Sequence, residues 1–344
     1  MVTAYDVAER AGVSMGTVSR YLTGNGYVGD ASRAKIAAAI DELGYIPNRA
    51  AASLTTKNTG LLGFVVSDLR NPFTAEIASS LSQHAREHGY GLVLSDSMND
   101  PAISLEAIES MRAHGVDGLI VTPPESSALN DALVAAAPTL PIVGIGLRTT
   151  PQVTDLVTSG TRAGAISAVE HLVGLGHRRI GYVGSSSMAS GRYRGYQDAL
   201  AAAGLPIDPD LVVVGELNRA GGFAAVDALF ALAERPTAIF AANDAVALGV
   251  IQAAHEWGVA VPEHLSVVGY DDVDLAAHSV PPLTTVAQPL AAMGQAAVEL
   301  LISRLRGADR QRASEEVVLP VRLVVRGSTA SPLQTSPTKR KGNK

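Results

Sequence analysis

Cysteine is absent from the 344-residue chain, and aromatic residues make up only 4% of it. Without cysteine there is no disulfide framework, no thiolate metal site and no cysteine nucleophile, and the composition fits a reducing compartment. No apolar run approaches the roughly 18 residues of a membrane span, and the first residues do not read as a secretory signal. We therefore expect a soluble cytoplasmic protein with no membrane partner.

Motifs that would indicate an enzyme are also scarce. The chain has no G-x-x-x-x-G-K-[ST] phosphate-binding loop. His84 and His88 in "HAREH" have the spacing of metal ligands, but no third ligand is nearby, so a solvated helix face is the better interpretation. The "DDVD" cluster (Asp271, Asp272 and Asp274) could hold magnesium, but no phosphate-binding partner accompanies it. We expect no catalytic residue, no metal and no cofactor.

The N-terminal segment has the spacing of a helix-turn-helix. Ala8 lets two helices cross closely, Gly12 permits a tight turn, and Val18 holds the second helix down. Ser14 is placed to cap that second helix, and Gly44 ends a longer third helix. An ordinary helical hairpin would have the same spacing, so the pattern alone leaves both structures open.

From about residue 60, short runs rich in valine, isoleucine and leucine alternate with helical patterns, in two series. Such alternation predicts two α/β lobes with parallel strands. Many of the runs end at a polar residue, and the carboxyl ends of parallel strands border ligand clefts. Any one of these residues could instead be a helix N-cap, but as a set they predict a small-molecule site: Asp68, Asp96, Ser185, Asn243, Asp244, Asp271 and Asp272.

Seven segments combine these features in unbroken order: "YDVAERAGVSMGTVSRYL", "ELGYIPNRAAASL", "NTGLLGFVVSDLRNPF", "HLVGLGHRRIGYVG", "RYRGYQDAL", "FAANDAVALGV" and "LSVVGYDDVDLAAHSVPPLTTVAQP". From residue 3 to about residue 328, the chain resembles the lac repressor (LacI) family of bacterial transcription regulators. The resemblance implies an all-α helix-turn-helix head, a hinge helix and a two-lobed core of periplasmic-binding-protein type with parallel sheets. It also implies an α/β fold class and a core that binds an effector and forms a homodimer.

The resemblance also implies domain limits. Residues 1–46 form the DNA-binding head, 47–59 the hinge helix and linker, and 60–328 the core. Within the core, the N-lobe takes about 60–157 plus 290–317, and the C-lobe takes about 158–287 plus 318–328. Residues 329–344 contain no leucine heptads and are expected to be a disordered basic tail, so we expect a dimer and no tail-built tetramer.

DNA contacts are expected in the hinge and in the second helix. Pro47 stops the third helix and Asn48 can cap a short hinge helix, which is marginal alone and should order on DNA. By resemblance, Leu54 wedges into the minor groove beside Ala51. The first 58 residues carry six basic and five acidic side chains, a net charge of +1, so we expect modest non-specific affinity.

By resemblance, the first two residues of the recognition helix reach base edges, and here they are Met15 and Gly16. Glycine has no reading side chain, so base recognition should fall mainly on Arg20, with Ser19 and Met15 assisting. Four further residues are expected to contact phosphates or to position the head: Tyr5, Thr17, Asn25 and Arg33.

Effector residues also carry over by resemblance: Phe73, Arg192, Asn243, Asp271 and Gln288, with Asp96 added from the strand-end pattern. A guanidinium with carboxylate and amide groups suits the hydroxyls of a sugar. The chain departs from the family where Gly146, Leu147 and Arg148 replace an Asp-Arg pair, and where Gly160 and Thr161 replace an Asp-Asn pair. These departures indicate an unusual ligand or an open pocket.

The function expected from these residues is a repressor that binds a palindromic operator in double-stranded DNA and responds to a small molecule, with a sugar favoured. A nucleoside, a purine or another polar metabolite is the alternative effector. A cytoplasmic solute-binding protein is the alternative class, and a sugar-modifying enzyme is a third option.

Overall fold

The computed structural model describes residues 2–24, 26–46, 58–122, 127–146, 154–185, 191–307 and 313–333. The chain divides into two compact units, residues 1–61 and residues 62–344. The sequence-based assignments for Asn25, Asn48, Ala51 and Leu54 lie outside the described residues.

The described residues of the N-terminal unit form three helices: α1 (Ala4–Ala11), α2 (Met15–Thr23) and α3 (Asp30–Leu43). The predicted caps are confirmed, because the Ser14 side chain accepts a hydrogen bond from the Thr17 backbone N–H, and Gly12 and Gly44 end their helices with φ of 65° and 58°. Val7, Val18 and Ile36 are buried where the three helices meet.

Gly12, Ser14 and Gly16 also match the spacing of a nucleophile elbow, a pattern that requires a preceding strand. Here the serine follows a helix. It therefore serves as a helix cap, as a helix-turn-helix requires.

In the part of the second unit that the structure describes, the strands form two six-stranded sheets. The strands of the first sheet are β1 (Leu61–Val66), β2 (Gly91–Asp96), β3 (Gly118–Val121), β4 (Ile142–Ile145), β5 (Asp155–Ser159) and β11 (Glu316–Leu319). Those of the second are β6 (Ile180–Gly184), β7 (Val212–Val214), β8 (Ala238–Ala241), β9 (Ser266–Asp271), β10 (Thr284–Ala287) and β12 (Arg322–Val324).

Nine described helices accompany these strands: α4 (Pro72–Glu87), α5 (Pro101–Ala113), α6 (Ser127–Ala136), α7 (Thr161–Gly174), α8 (Gly191–Ala202), α9 (Arg219–Phe230), α10 (Asp244–Glu256), α11 (Asp274–His278) and α12 (Leu290–Arg306). Among the described helices, none is long and apolar enough to span a bilayer.

The strand order is β11-β5-β4-β3-β1-β2 in the first sheet and β12-β10-β9-β8-β6-β7 in the second. All pairs with a described register are parallel except β10 with β12. The chain passes between the sheets three times, after β5, after β10 and after β11. Each lobe is therefore built from separate stretches of sequence, as expected for a two-lobed core.

The two lobes have separate apolar cores. In the N-lobe, Leu62, Ile77 and Leu301 pack together, so α12 completes a core that began with β1. In the C-lobe, α9 and α10 cross so closely that a Cβ on Gly222 would meet the Val246 carbonyl. Glycine is required at this crossing because no other side chain fits there.

After β12, residues 329 and 330 contact the C-lobe. His171 Nε2 and Thr329 Oγ1 are 3.0 Å apart, and His177 Nε2 lies 2.9 Å from the Ala330 carbonyl. Burial lowers the pKa of both histidines. The prediction of a disordered tail from residue 329 onward differs from the structure, because Thr329 and Ala330 contact the C-lobe. Residues 334–344 lie outside the described residues.

Candidate functional site

A cavity of about 350 Å³ lies between the two lobes, at the carboxyl ends of their strands. Its walls come from both sheets, as the strand-end pattern predicts. They are Ser67, Asn71, Phe73, Thr74, Asn99, Thr122, Ile145, Gly146, Ser159, Thr161, Ser185, Arg192, Leu217, Ala242, Asn243, Asp271 and Gln288. This volume is near the lower end of the range for small-molecule sites, about 300 to 1,000 Å³.

A chain of four polar side chains crosses the cavity. Arg192 Nη2 donates to Asp271 Oδ1 at 3.2 Å, and Gln288 Nε2 donates to the same oxygen at 2.6 Å. Gln288 Oε1 in turn accepts a hydrogen bond from Ser159 Oγ at 2.5 Å. Because Ser159 ends an N-lobe strand and Asp271 ends a C-lobe strand, this chain joins the two sheets.

The Arg192 guanidinium also lies over the ring of Tyr270, with 4.3 Å between Cζ and the ring centroid. The ring covers one face of the cation and the carboxylate of Asp271 binds its edge. The arginine is thereby held in one orientation with nitrogen donors directed along the cavity wall.

Asp271 has an unusual backbone conformation, with φ of 119°, and the next residue, Asp272, has φ of 60°. Non-glycine residues rarely adopt positive φ, and such strain concentrates at functional sites. Neighbouring contacts hold this turn, because Arg326 Nη2 donates to Asp272 at 2.6 Å and the Val273 N–H donates to Asp244 at 2.9 Å. The turn directs the Asp271 carboxylate into the cavity.

A second carboxyl group lies behind the cavity wall. Asp244 is fully buried and accepts hydrogen bonds from Thr285 Oγ1 and from the Val273 N–H. Burial raises the pKa of Asp244 to about 8, and the neighbouring Asp271 adds to this rise. Burial also raises the pKa of Asp271 to about 6, against the opposing effect of Arg192.

Two residues of α4 reach across from the N-lobe. Phe73 packs against the apolar cores of both lobes, and the Glu76 carboxylate accepts a hydrogen bond from the Asp274 N–H at 3.0 Å. Phe73 also lines the cavity. The N-terminal end of α4 therefore covers one side of the cavity and contacts both lobes.

Five of the six expected effector residues line this cavity: Phe73, Arg192, Asn243, Asp271 and Gln288. Asn243 has a structural role as well, because its Oδ1 caps α10 and its Nδ2 donates to the Leu217 carbonyl. Gly146 and Thr161, two of the departures from the family pattern, also line it, whereas Leu147 and Arg148 lie outside the described residues.

The structure differs from the prediction at Asp96, which is not part of the described cavity wall. It ends β2, the edge strand of its sheet, and its carboxylate accepts the Met98 N–H. Asp68 pairs with Arg70 and Asp272 with Arg326, so these two carboxylates also bind protein partners away from the wall.

Sequence reasoning missed several wall residues, among them Asn71, Asn99, Thr122 and Ser159. Ser159 ends β5 and had the same signal as the predicted residues, a polar side chain at the end of an apolar run. Asn99 follows the edge strand in a turn with φ of 60°, which no hydrophobic pattern indicates.

On the N-terminal unit, the expected base-reading residues Met15, Gly16, Ser19 and Arg20 are exposed on α2, while Val18 faces the core. Tyr5 is exposed on α1, and the Arg33 guanidinium lies 5.6 Å from the centroid of the Tyr21 ring. Thr17 is half-buried, and its hydroxyl lies 2.9 Å from that of Ser14.

Among the described residues, no group of three or more histidine, aspartate or glutamate side chains could hold a metal ion. His84 Nδ1 donates to the carbonyl of Ser80, one turn earlier in α4, at 2.8 Å.

A helical DNA-binding head combined with a two-lobed ligand-binding core defines a ligand-responsive transcription regulator. Residues 3–48 match the model for bacterial regulatory proteins of the lacI family, and residues 169–329 match the periplasmic binding protein-like domain. The chain is similar to the HTH-type transcriptional regulator DegA of Bacillus subtilis, with 37% identity over 338 residues, which is 97% of this chain and 99% of the relative. The chain belongs to the lacI family of bacterial regulatory proteins.

Two further relatives agree with this assignment. The ribose operon repressor of Escherichia coli (strain K12) is 34% identical over 331 residues, covering 95% of this chain and all of the relative. The solved structure of the lac repressor dimer bound to operator and the anti-inducer ONPF is 32% identical, with a TM-score of 0.84 over 96% of this chain and 99% of that one.

Proposed function

We propose that this regulator binds a palindromic operator as a homodimer in the bacterial cytoplasm, and that a sugar or sugar derivative bound between its lobes controls it. It acts by binding and performs no catalysis. The observation that carries the sugar assignment is the chain of hydrogen bonds from Arg192 through Asp271 and Gln288 to Ser159, which lines a small cavity.

The chemistry of the cavity wall supports a neutral, hydroxyl-rich ligand. Its one described cation and its one described anion already pair with each other, so a strongly charged ligand gains little there. Six hydroxyl side chains line the described wall and can both donate and accept hydrogen bonds: Ser67, Thr74, Thr122, Ser159, Thr161 and Ser185. Phe73 is the one aromatic residue of that wall, whereas a purine is best held between two flat groups.

Control of DNA binding follows from a shift between two arrangements of the lobes. A ligand changes operator affinity only to the extent that it binds one arrangement better than the other. A sugar that prefers the DNA-free arrangement acts as an inducer, and one that prefers the DNA-bound arrangement acts as a corepressor. The chain of hydrogen bonds between the lobes is the element through which the sugar would set this preference.

The effector assignment is tested by thermal unfolding of the full chain with D-ribose, D-glucose, cellobiose and hypoxanthine. A ligand at one hundred times its Kd stabilises the folded state by about 2.7 kcal/mol. We expect one of the sugars to raise the Tm of the wild type and to lose this effect in Asp271→Asn, which removes the negative charge from the cavity wall. A rise in Tm with hypoxanthine alone would indicate that the effector is a purine and not a sugar.

The operator assignment is tested by fluorescence anisotropy on a labelled palindromic duplex with a central CG step and on one with a scrambled centre. We expect the wild type to prefer the intact site at least tenfold, about 1.4 kcal/mol, and Leu54→Ala to lose this preference. If a random-sequence selection also enriches no site, the protein is a ligand binder without operator specificity.

A further inference from the structure

Arg20 lies in space that two glycines leave open. Its Nε donates to the Gly16 carbonyl, one turn earlier in α2, at 3.0 Å. A Cβ on Gly16 would lie 3.7 Å from Arg20 Nη2, and a Cβ on Gly26 would lie 3.1 Å from Arg20 Cδ. Gly26 also has φ of 107°, which favours glycine. The arginine therefore folds back along α2, tightly against Gly26 and at ordinary contact distance from the place that a Cβ on Gly16 would take.

This arrangement leaves particular donors available. Because Nε is engaged by the helix, the two terminal nitrogens form the free end of an exposed guanidinium. A planar pair of nitrogens matches the O6 and N7 acceptors of guanine in the major groove. Holding the fork in one orientation before DNA binds reduces the conformational entropy lost on binding.

We propose that Gly16 is a specificity-determining residue that acts through Arg20: its missing side chain leaves the space in which the arginine is oriented to read guanine. A small residue at this position therefore contributes to guanine recognition without contacting the base itself. This inference rests on the proposed operator binding through α2. It also predicts something that operator binding alone does not: the size of residue 16 controls which base residue 20 prefers.

The test compares four forms of the full chain: wild type, Gly16→Ala, Gly16→Leu and Arg20→Ala. Alanine adds a Cβ at an ordinary contact distance. The longer leucine side chain is expected to compete with the guanidinium for the space next to α2. Both residues are good helix formers and neither offers a hydrogen bond to a base, so the pair differs mainly in bulk. Circular dichroism checks that all four forms fold.

Each form is titrated by anisotropy on an operator obtained by random-sequence selection with the wild type, and on copies with one base pair changed. At the position that Arg20 reads, we expect wild type and Gly16→Ala to prefer guanine by about tenfold or more. Gly16→Leu and Arg20→Ala should prefer it less than twofold, with base preferences elsewhere unchanged.

Retention of the guanine preference by Gly16→Leu would overturn the inference. So would an equal loss of affinity for every sequence, since that indicates general damage to the head. If the wild type enriches no sequence at all, operator binding itself fails and the inference fails with it. If a site is enriched but residues 16 and 20 prove independent, only the inference fails.

Discussion

Replacing Asp244 with asparagine should remove a pH dependence from the stability of the C-lobe. The pKa of this buried carboxyl is raised from 3.8 to about 8. Between these two pH values, the folded state therefore holds a proton that the unfolded state has already released. A raised pKa contributes stability below pH 4 that is lost as the pH rises through about 8. The wild type should therefore become less stable across this window.

The size of the effect follows from the pKa values. Between pH 6.5 and pH 8, a pKa raised from 3.8 to about 8 corresponds to a fall on the order of 2 kcal/mol in the free energy of unfolding. Asp271, whose pKa is raised only to about 6, loses most of its proton below this pH window and therefore adds little to the fall. The amide introduced by Asp244→Asn would keep both hydrogen bonds, with its oxygen accepting from the Val273 N–H and its nitrogen donating to the Thr285 hydroxyl.

Urea unfolding followed by tryptophan fluorescence measures this effect. Trp257, the single tryptophan of the chain, follows α10 and packs edge-on against Phe230 at 5.8 Å, so it reports on the lobe that contains Asp244. Asp198→Asn is the matched control, because Arg162 lowers the pKa of that exposed carboxyl. If Asp244→Asn and the wild type lose stability in parallel between pH 6.5 and pH 8, the raised pKa is refuted.

Three further substitutions test the site and the fold. Arg192→Ala should weaken binding of the responsive sugar at least tenfold by calorimetry, because charge-assisted hydrogen bonds are worth about 1.5 to 3 kcal/mol; equal sugar binding would place the ligand elsewhere. Ser14→Ala should speed amide hydrogen exchange in α2 about fivefold, since losing an N-cap costs about 1 kcal/mol; unchanged exchange would show that the cap contributes nothing. Gly222→Ala should destabilise the C-lobe by about 1 to 3 kcal/mol in urea, because its Cβ meets the Val246 carbonyl, whereas Gly174→Ala, which meets nothing within 4 Å, should not.

Local features were predictable from the sequence because their causes are local. Gly12, Ser14 and Gly44 set helix ends through backbone freedom and a side-chain cap, and each needs only a few neighbouring residues. The apolar runs around Ile180 and Val267 indicated buried strands for the same reason.

The arrangement of the site was only partly predictable, because it depends on residues far apart in the chain. Asn243 and Asp244 are adjacent at the end of β8, yet one lines the cavity and the other lies behind it against Thr285, 41 positions later. The strand-end pattern could not separate them, since it carries no information about which face each side chain takes. The prediction that Asp96 belongs to the effector site differs from the structure for a related reason, because only the sheet order shows that β2 lies at an edge.

The order in which the two lobes are assembled has a consequence for synthesis of the protein. The N-lobe core needs α12, and its sheet needs β11, although most of that lobe is encoded before residue 160. On the ribosome, where the N-terminal residues emerge first, the helical head can fold long before either lobe is complete. A nascent or truncated chain ending before residue 290 would thus present a DNA-binding head on a core that lacks part of its interior, so even a late stop codon removes ligand control before it removes the head.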